Sequence, residues 1–186
     1  YFDLSMYKRY VDIVYLPSLE MGGYIPLLDK AKLKALPPAS NKVDVKELNY
    51  QKGDVLNLFY VGGLGANYQL HELFKAVSQL EDVHLTFCTP EEQWKALKGE
   101  YLEYLSDNIL IVHESGEGLK PLYEKCHLAI LFVKPKEYWS FAVPVKTFEY
   151  IGYGKPIIAA EGGKVGKFVQ ENDLGWTVPY NSDELI

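Results

Sequence analysis

From Asp54 onward the sequence alternates between short runs of β-branched and aromatic residues and stretches whose apolar positions recur three and four apart. Val55–Gly62 is the first β-rich run and ends in glycines. Gln69–Leu80 follows, with an apolar stripe at Leu70, Leu73, Phe74, Val77 and Leu80. The pattern then predicts a strand over Val83–Cys88, a helix over Glu91–Leu105 and a strand over Ile109–Val112. A helical turn at Leu119–Lys125 precedes a strand at Leu128–Val133. Lys146–Tyr153 reads as a helix, Pro156–Ala160 as a strand, Val165–Asn172 as a polar helix and Trp176–Pro179 as a last strand. Strands joined through helices pair in parallel and need both faces covered. The fold class is therefore α/β, a doubly wound, Rossmann-like parallel sheet with ligands at the carboxyl ends of its strands.

Before Asp54 the pattern is irregular. Leu4, Tyr7 and Val11 mark an amphipathic helix, Asp12–Leu16 an edge strand followed by Pro17-Ser18, and Pro37–Leu48 a polar linker. These signs divide the chain into residues 1–48, the end of one domain with its linker, and residues 49–186, a second domain. The chain opens at Tyr1 and stops within a helix-start signal at Ser182–Ile186, so a piece of a longer protein is expected.

Residues 141–160 carry the strongest chemical signal. Pro144 breaks an extended loop, Gly154 ends the following helix, and Pro156-Ile157-Ile158 starts a buried strand. A helix start offers free N–H groups at Val145, Lys146 and Thr147, and Lys146 adds a cation where the helix dipole disfavours one. That combination suits a phosphate. Glu149, three residues on, falls on the same face, and a carboxylate accepts two hydroxyl hydrogen bonds, as a ribose would offer. The bland readings are a solvated lysine and an ordinary exposed helix glutamate.

This block resembles the donor-binding helix of retaining glycosyltransferases of the two-Rossmann-domain (GT-B) architecture, many of which build cell-surface polysaccharide or lipopolysaccharide. Glu149, Tyr153, Gly154, Lys155, Pro156, Ile157 and Ile158 match its Glu, small residue, Gly, x, Pro and two aliphatics. Pro144, Lys146, Phe148, Glu149 and Tyr150 match a branch with Pro-x-Lys-x-Phe-Glu-Tyr. The resemblance extends loosely from about Asp12 to the C-terminus. It implies that residues 49–186 are a C-terminal nucleotide-sugar domain and residues 1–48 the tail of an N-terminal acceptor domain. It further implies hexosyl transfer from a nucleotide-diphosphate sugar to a glycan or glycolipid acceptor held by the missing N-terminal domain, with these residues inactive alone. A nucleotide-sugar 2-epimerase shares the architecture, and a non-catalytic binding subunit is the alternative outside enzymes. Many members also carry a second glutamate, eight positions before the one matched by Glu149, that contacts the donor sugar. Phe141 stands there.

Two further segments join the candidate site. Gly62-Gly63-Leu64 follows the first strand, and such glycines let backbone approach a phosphate or sugar; a tight turn alone uses them equally well. Tyr68 stands where a dinucleotide fingerprint has its third glycine, and no acidic residue closes the second strand at Cys88, so NAD is not expected. In the resembled family this turn faces the donor, often with Arg and Lys near the diphosphate; here Leu64 and Tyr68-Gln69 occupy that stretch. His113 and Glu114 end the third strand, where the resembled enzymes seat the base against main-chain groups. Glu161-Gly162-Gly163 lies where the family contacts the donor sugar, or forms a simple turn. Asp54 and Asp82 do not make a receiver-type acidic pocket.

A net charge of -6 and a pI near 5.3 argue against nucleic acid as a partner. No apolar run approaches a transmembrane length. Cys88 and Cys126 lack metal-ligand spacing and read as reduced, buried thiols of a cytoplasmic protein, with any inner-membrane contact made through the missing domain. No Asp-x-Asp motif occurs, so neither a metal nor another cofactor is expected, Lys146 and the helix amides neutralising the diphosphate.

Overall fold

The computed structural model describes residues 2–25, 28–45 and 48–186; of the sequence-predicted features, the side chain of Leu4 and residues 46–47 of the linker lie outside the described residues. Six strands form one sheet: β3 (Leu56–Val61), β4 (Val83–Cys88), β5 (Ile109–Val112), β6 (Leu128–Leu131), β7 (Ile157–Ala160) and β8 (Gly175–Val178). Their order is β5-β4-β3-β6-β7-β8, and every pairing is parallel. A smaller parallel pair, β1 (Val14–Leu16) and β2 (Leu33–Ala35), stands apart. Among the described residues no helix is long and apolar enough to cross a membrane.

The strand sequences explain why both faces are covered. Alternate side chains point to opposite faces. Leu58, Tyr60, Ile130 and Phe132 therefore enter one core, with Leu73 and Phe74 of α2 (His71–Val77). Trp94 of α3 (Glu91–Leu97) packs against it. Phe59, Ala129, Leu131, Ile157 and Ala159 enter the other. There they meet Tyr123 of α4 (Lys120–Glu124), Tyr150 of α5 (Val145–Gly152) and Val165 and Val169 of α6 (Lys164–Glu171). Burying one such side chain contributes about 1.5–3 kcal/mol.

Three expectations change. The helix expected over Glu91–Leu105 stops at Leu97 and continues as 3-10 turns at Lys98–Glu100 and Leu102–Tyr104. Gly99 weakens the helix there, and the buried Tyr101 ring stacks on His71 at 4.5 Å. The helix over Gln69–Leu80 shortens to His71–Val77, because the Gln69 carbonyl accepts from Lys134 N–H and Tyr180 Oη. The N-terminal helix α1 (Phe2–Tyr10) forms, but Tyr7 and Tyr10 are exposed, so it buries no face through them.

The N-terminal segment packs over the carboxyl end of the sheet. Ser18 Oγ donates to the Phe141 carbonyl at 3.2 Å, the Tyr24 and Phe141 rings lie 4.4 Å apart, and Lys164 pairs with Glu20. In the stretch expected to be a linker, Val43 N–H donates to the Gly152 carbonyl at 2.8 Å.

Candidate functional site

A cleft of about 810 Å³ opens at the carboxyl ends of β3, β4 and β5 and the start of α5. The sheet's topology puts it there. After β3 the chain turns into α2 on one face, and after β6 it turns to α5 on the other, so the two connections diverge and leave a crevice. Pro17, Met21 and Pro38 of the N-terminal segment form the opposite lip.

Helix α5 is built to present its first turn. Pro144, with φ fixed at -62° and ψ at 145°, is extended and ends the loop. At the other end Gly154 adopts φ +64°, its N–H donates to Ile151 O and that of Lys155 to Tyr150 O, which is a Schellman closure. Tyr150 and Thr147 are fully buried and fix the helix's rotation, with Val61 N–H donating to Tyr150 Oη at 3.1 Å. Lys146 and Glu149 are thereby turned to the cleft. The N–H groups of Val145 and Lys146 have no partner among the described residues, whereas that of Thr147 donates to the Pro144 carbonyl.

The Lys146 ammonium has no hydrogen-bond acceptor or carboxylate within reach among the described residues. It lies 4.9 Å from the Tyr60 ring centroid and 4.6 Å from that of Tyr68. A Cβ on Gly62 would overlap Lys146 Nζ and lie 2.8 Å from its Cε, so glycine here makes room for the cation. Burial brings the Lys146 ammonium down to about 8, opposed by the Glu149 carboxylate.

The other wall comes from β4 and β5. His113 Nδ1 stands 2.7 Å from the Thr89 carbonyl. A carbonyl only accepts, so Nδ1 carries a proton. The Cys88 thiol donates to the Glu114 carbonyl at 3.3 Å and is pushed up by burial. Thr89 Oγ1 is buried with no hydrogen-bond partner among the described residues.

Gly62, Gly63, His113, Glu114, Val145, Lys146 and Glu149 all line this one cleft. Leu64 and Thr147 do not. Leu64 is buried in the core with its N–H donating to Gln93 Oε1 at 2.8 Å, and the Thr147 side chain is fully buried. Glu161-Gly162-Gly163 forms the turn into α6, with Gly163 its N-cap. No sequence motif marks Tyr60 and Tyr68 as a pair, Thr89, Gln93, or the lip from the N-terminal segment. The signal for Tyr60 was its place next to the glycine turn; nothing local marked Pro17, Met21 or Pro38. Among the described residues no group of three or more His, Cys, Asp or Glu converges to hold a metal.

Solved structures share this architecture. Sucrose-phosphate synthase from Thermosynechococcus elongatus superposes with a TM-score of 0.74 at 16% identity, over 98% of this chain and 49% of that one. HepE from Anabaena, in complex with UDP and glucose, gives 0.72 at 16% identity over 98% and 53%. A glycosyltransferase from Rickettsia africae gives 0.71 at 16% identity over 98% and 54%. The chain thus spans about half the length of these structures, and at such identity the likeness shows the fold alone. No curated protein matches the chain by sequence. The family model for glycosyl transferases group 1 matches residues 56–186, the whole of the six-stranded sheet and its helices, and the chain belongs to that family.

Proposed function

We propose that this chain is the nucleotide-sugar donor-binding half of a glycosyltransferase that moves a hexose from a nucleoside diphosphate to a glycan or glycolipid acceptor. The observation that carries the reading is Lys146. Its ammonium meets no carboxylate among the described residues, and it lines the same cleft as the start of α5, where the N–H groups of Val145 and Lys146 have no acceptor among the described residues. A lysine and free helix-start amides facing one cleft suit a phosphate group. Structures of the same fold support the choice of ligand: Anabaena HepE is described in complex with UDP-glucose.

In this reading the diphosphate lies against Lys146 and the amides of Val145 and Lys146, the ribose hydroxyls donate to Glu149, and the base lies along Thr89 and His113. As the bond from sugar to phosphate breaks, the leaving oxygen gains negative charge. A preorganised donor in a partly dry cleft then stabilises it more than water does, by about 3 kcal/mol for one such group. Lys146 and the amides supply the neutralisation that a divalent ion gives elsewhere. Acceptor groups belong to a partner domain, so these residues bind nucleotide without transferring sugar. Cytoplasmic reduction would keep the buried thiols Cys88 and Cys126 free.

One observation favours a second reading, a binding subunit without transfer. Phe141, at the position of the sugar-contacting glutamate, packs on Tyr24 and Tyr138. Calorimetric titration with UDP, GDP, ADP and CMP, each with and without EDTA, tests the main reading. Binding of one diphosphate that persists in EDTA supports it. Absence of binding, or strict dependence on Mg²⁺, overturns it. Sugar transfer by the whole protein then separates transferase from binding subunit, and product analysis with UDP-N-acetylglucosamine identifies an epimerase.

A further inference from the structure

Tyr60 lies outside the family resemblance and Tyr68 stands in the stretch where that family often has Arg and Lys; neither explains by itself why Lys146 points where it does. Lys146 has no acceptor to fix it among the described residues, yet its long stem could swing into solvent. Two rings hold it. Tyr60 comes from the end of β3, where its hydroxyl donates to the Gly63 carbonyl at 2.8 Å and its ring stacks on Phe87 at 4.8 Å. Tyr68 comes from the loop that follows and meets Trp139 edge-on at 5.2 Å. Trp139 in turn donates from Nε1 to the Asn67 carbonyl at 2.8 Å, so the loop and the ring are anchored together. The ring faces attract an ammonium through their quadrupole without neutralising its charge.

We propose that Tyr60 and Tyr68 are positioning residues that hold the Lys146 ammonium over Gly62, so that one cation is preset to meet the diphosphate of the donor. The proposal rests on the nucleotide-binding reading above. A carboxylate in place of either ring would fix the lysine but cancel its charge; the aromatic pair fixes it and leaves the charge for the ligand. Tyr68 thus does indirectly what a second cation would do at that point of the loop. Both phenols stay neutral at ordinary pH, because burial raises them. The Glu149 carboxylate, from the same helix, is the charged group that draws the ammonium upward.

The test uses Tyr68→Leu and Tyr68→Phe in the 186-residue chain, titrated with whichever of UDP, GDP or ADP the parent binds most tightly and with its nucleoside (uridine, guanosine or adenosine). Tyr68→Leu removes the ring face and is expected to weaken the diphosphate about tenfold while changing the nucleoside less than twofold. Tyr68→Phe keeps the face and should restore diphosphate affinity to within twofold. The Lys146 Hε resonances give a readout free of ligand: the rings should shift them upfield in the parent and in Tyr68→Phe, and Tyr68→Leu should shrink that displacement. Equal losses for diphosphate and nucleoside in Tyr68→Leu, or no loss of either, overturn the positioning role while leaving the nucleotide reading intact. Unshifted Lys146 resonances in the parent overturn it as well. Failure of the parent chain to bind any diphosphate overturns both.

Discussion

Raising the pH from 7.5 to 9 should release the diphosphate and spare the nucleoside. In the free chain burial holds the Lys146 ammonium at about 8, with Glu149 pulling it upward. A bound diphosphate favours the charged form, so the complex keeps a proton that the free chain gives up. Well below pH 8 the lysine is charged both free and bound, and affinity is complete. As the pH rises through 8 the free lysine loses its proton and must recover it on binding, so affinity falls toward the higher value in the complex. The charged fraction drops from about three quarters at pH 7.5 to about one tenth at pH 9, an affinity loss of roughly eightfold, or ~1.2 kcal/mol. The phosphate's own second ionisation, near 6, is over by then. Calorimetry in two buffers of different ionisation enthalpy should find about half a proton taken up per diphosphate at pH 8. The nucleoside controls for ionisation of the base, and Lys146→Met should give a flat profile at the weaker level. A flat profile in the parent chain, or proton release on binding, would refute the reasoning.

Other perturbations separate ligand contacts from scaffold. Glu149→Ala should weaken nucleotide and nucleoside alike by about 1–3 kcal/mol with the melting temperature preserved, since a ribose contact is common to both; a loss confined to the diphosphate contradicts the assignment. Gly62→Ala puts a methyl group where the Lys146 ammonium lies, so diphosphate affinity should fall at least fivefold while the nucleoside holds; unchanged affinity would show that the lysine is elsewhere. Gly175→Ala tests the sheet instead. Its Cβ would overlap the Ile157 carbonyl oxygen and stand 2.6 Å from Ile157 N, at φ +145°. Urea unfolding should show a loss of about 2 kcal/mol with nucleotide affinity intact, and an unaltered midpoint contradicts the β7–β8 pairing.

Strands were easier to read in this sequence than helices, and for a physical reason. The inner strands β3, β6 and β7 are covered on both faces, so runs such as Leu128–Leu131 and Ile157–Ala160 are nearly all apolar and end within a residue or two of the expected bounds. Helix lengths depend on what competes for their ends. The Gln69 carbonyl is claimed from across the sheet by Lys134 and Tyr180, which no periodicity within Gln69–Leu80 reveals. Strand β2 is not legible in the sequence, because Leu33–Ala35 is three residues long and, among the described residues, pairs only with Val14–Leu16. At the site, α5 was legible because Pro144 and Gly154 punctuate it locally. Leu64 was misleading: a loop position beside two glycines suggests exposure, but its side chain drops into the core. Tyr60, Tyr68 and Lys146 converge from distant parts of the sequence, and only the folded chain brings them together.

The most direct measurement is a crystal structure of this chain with the nucleoside diphosphate that binds best. The account predicts the diphosphate within hydrogen-bonding distance of Lys146 Nζ and the Val145 and Lys146 amides, with the ribose hydroxyls on Glu149. A ligand bound in another cleft, or one lying here with its ribose at Lys146 and its phosphates pointing away from α5, would contradict it.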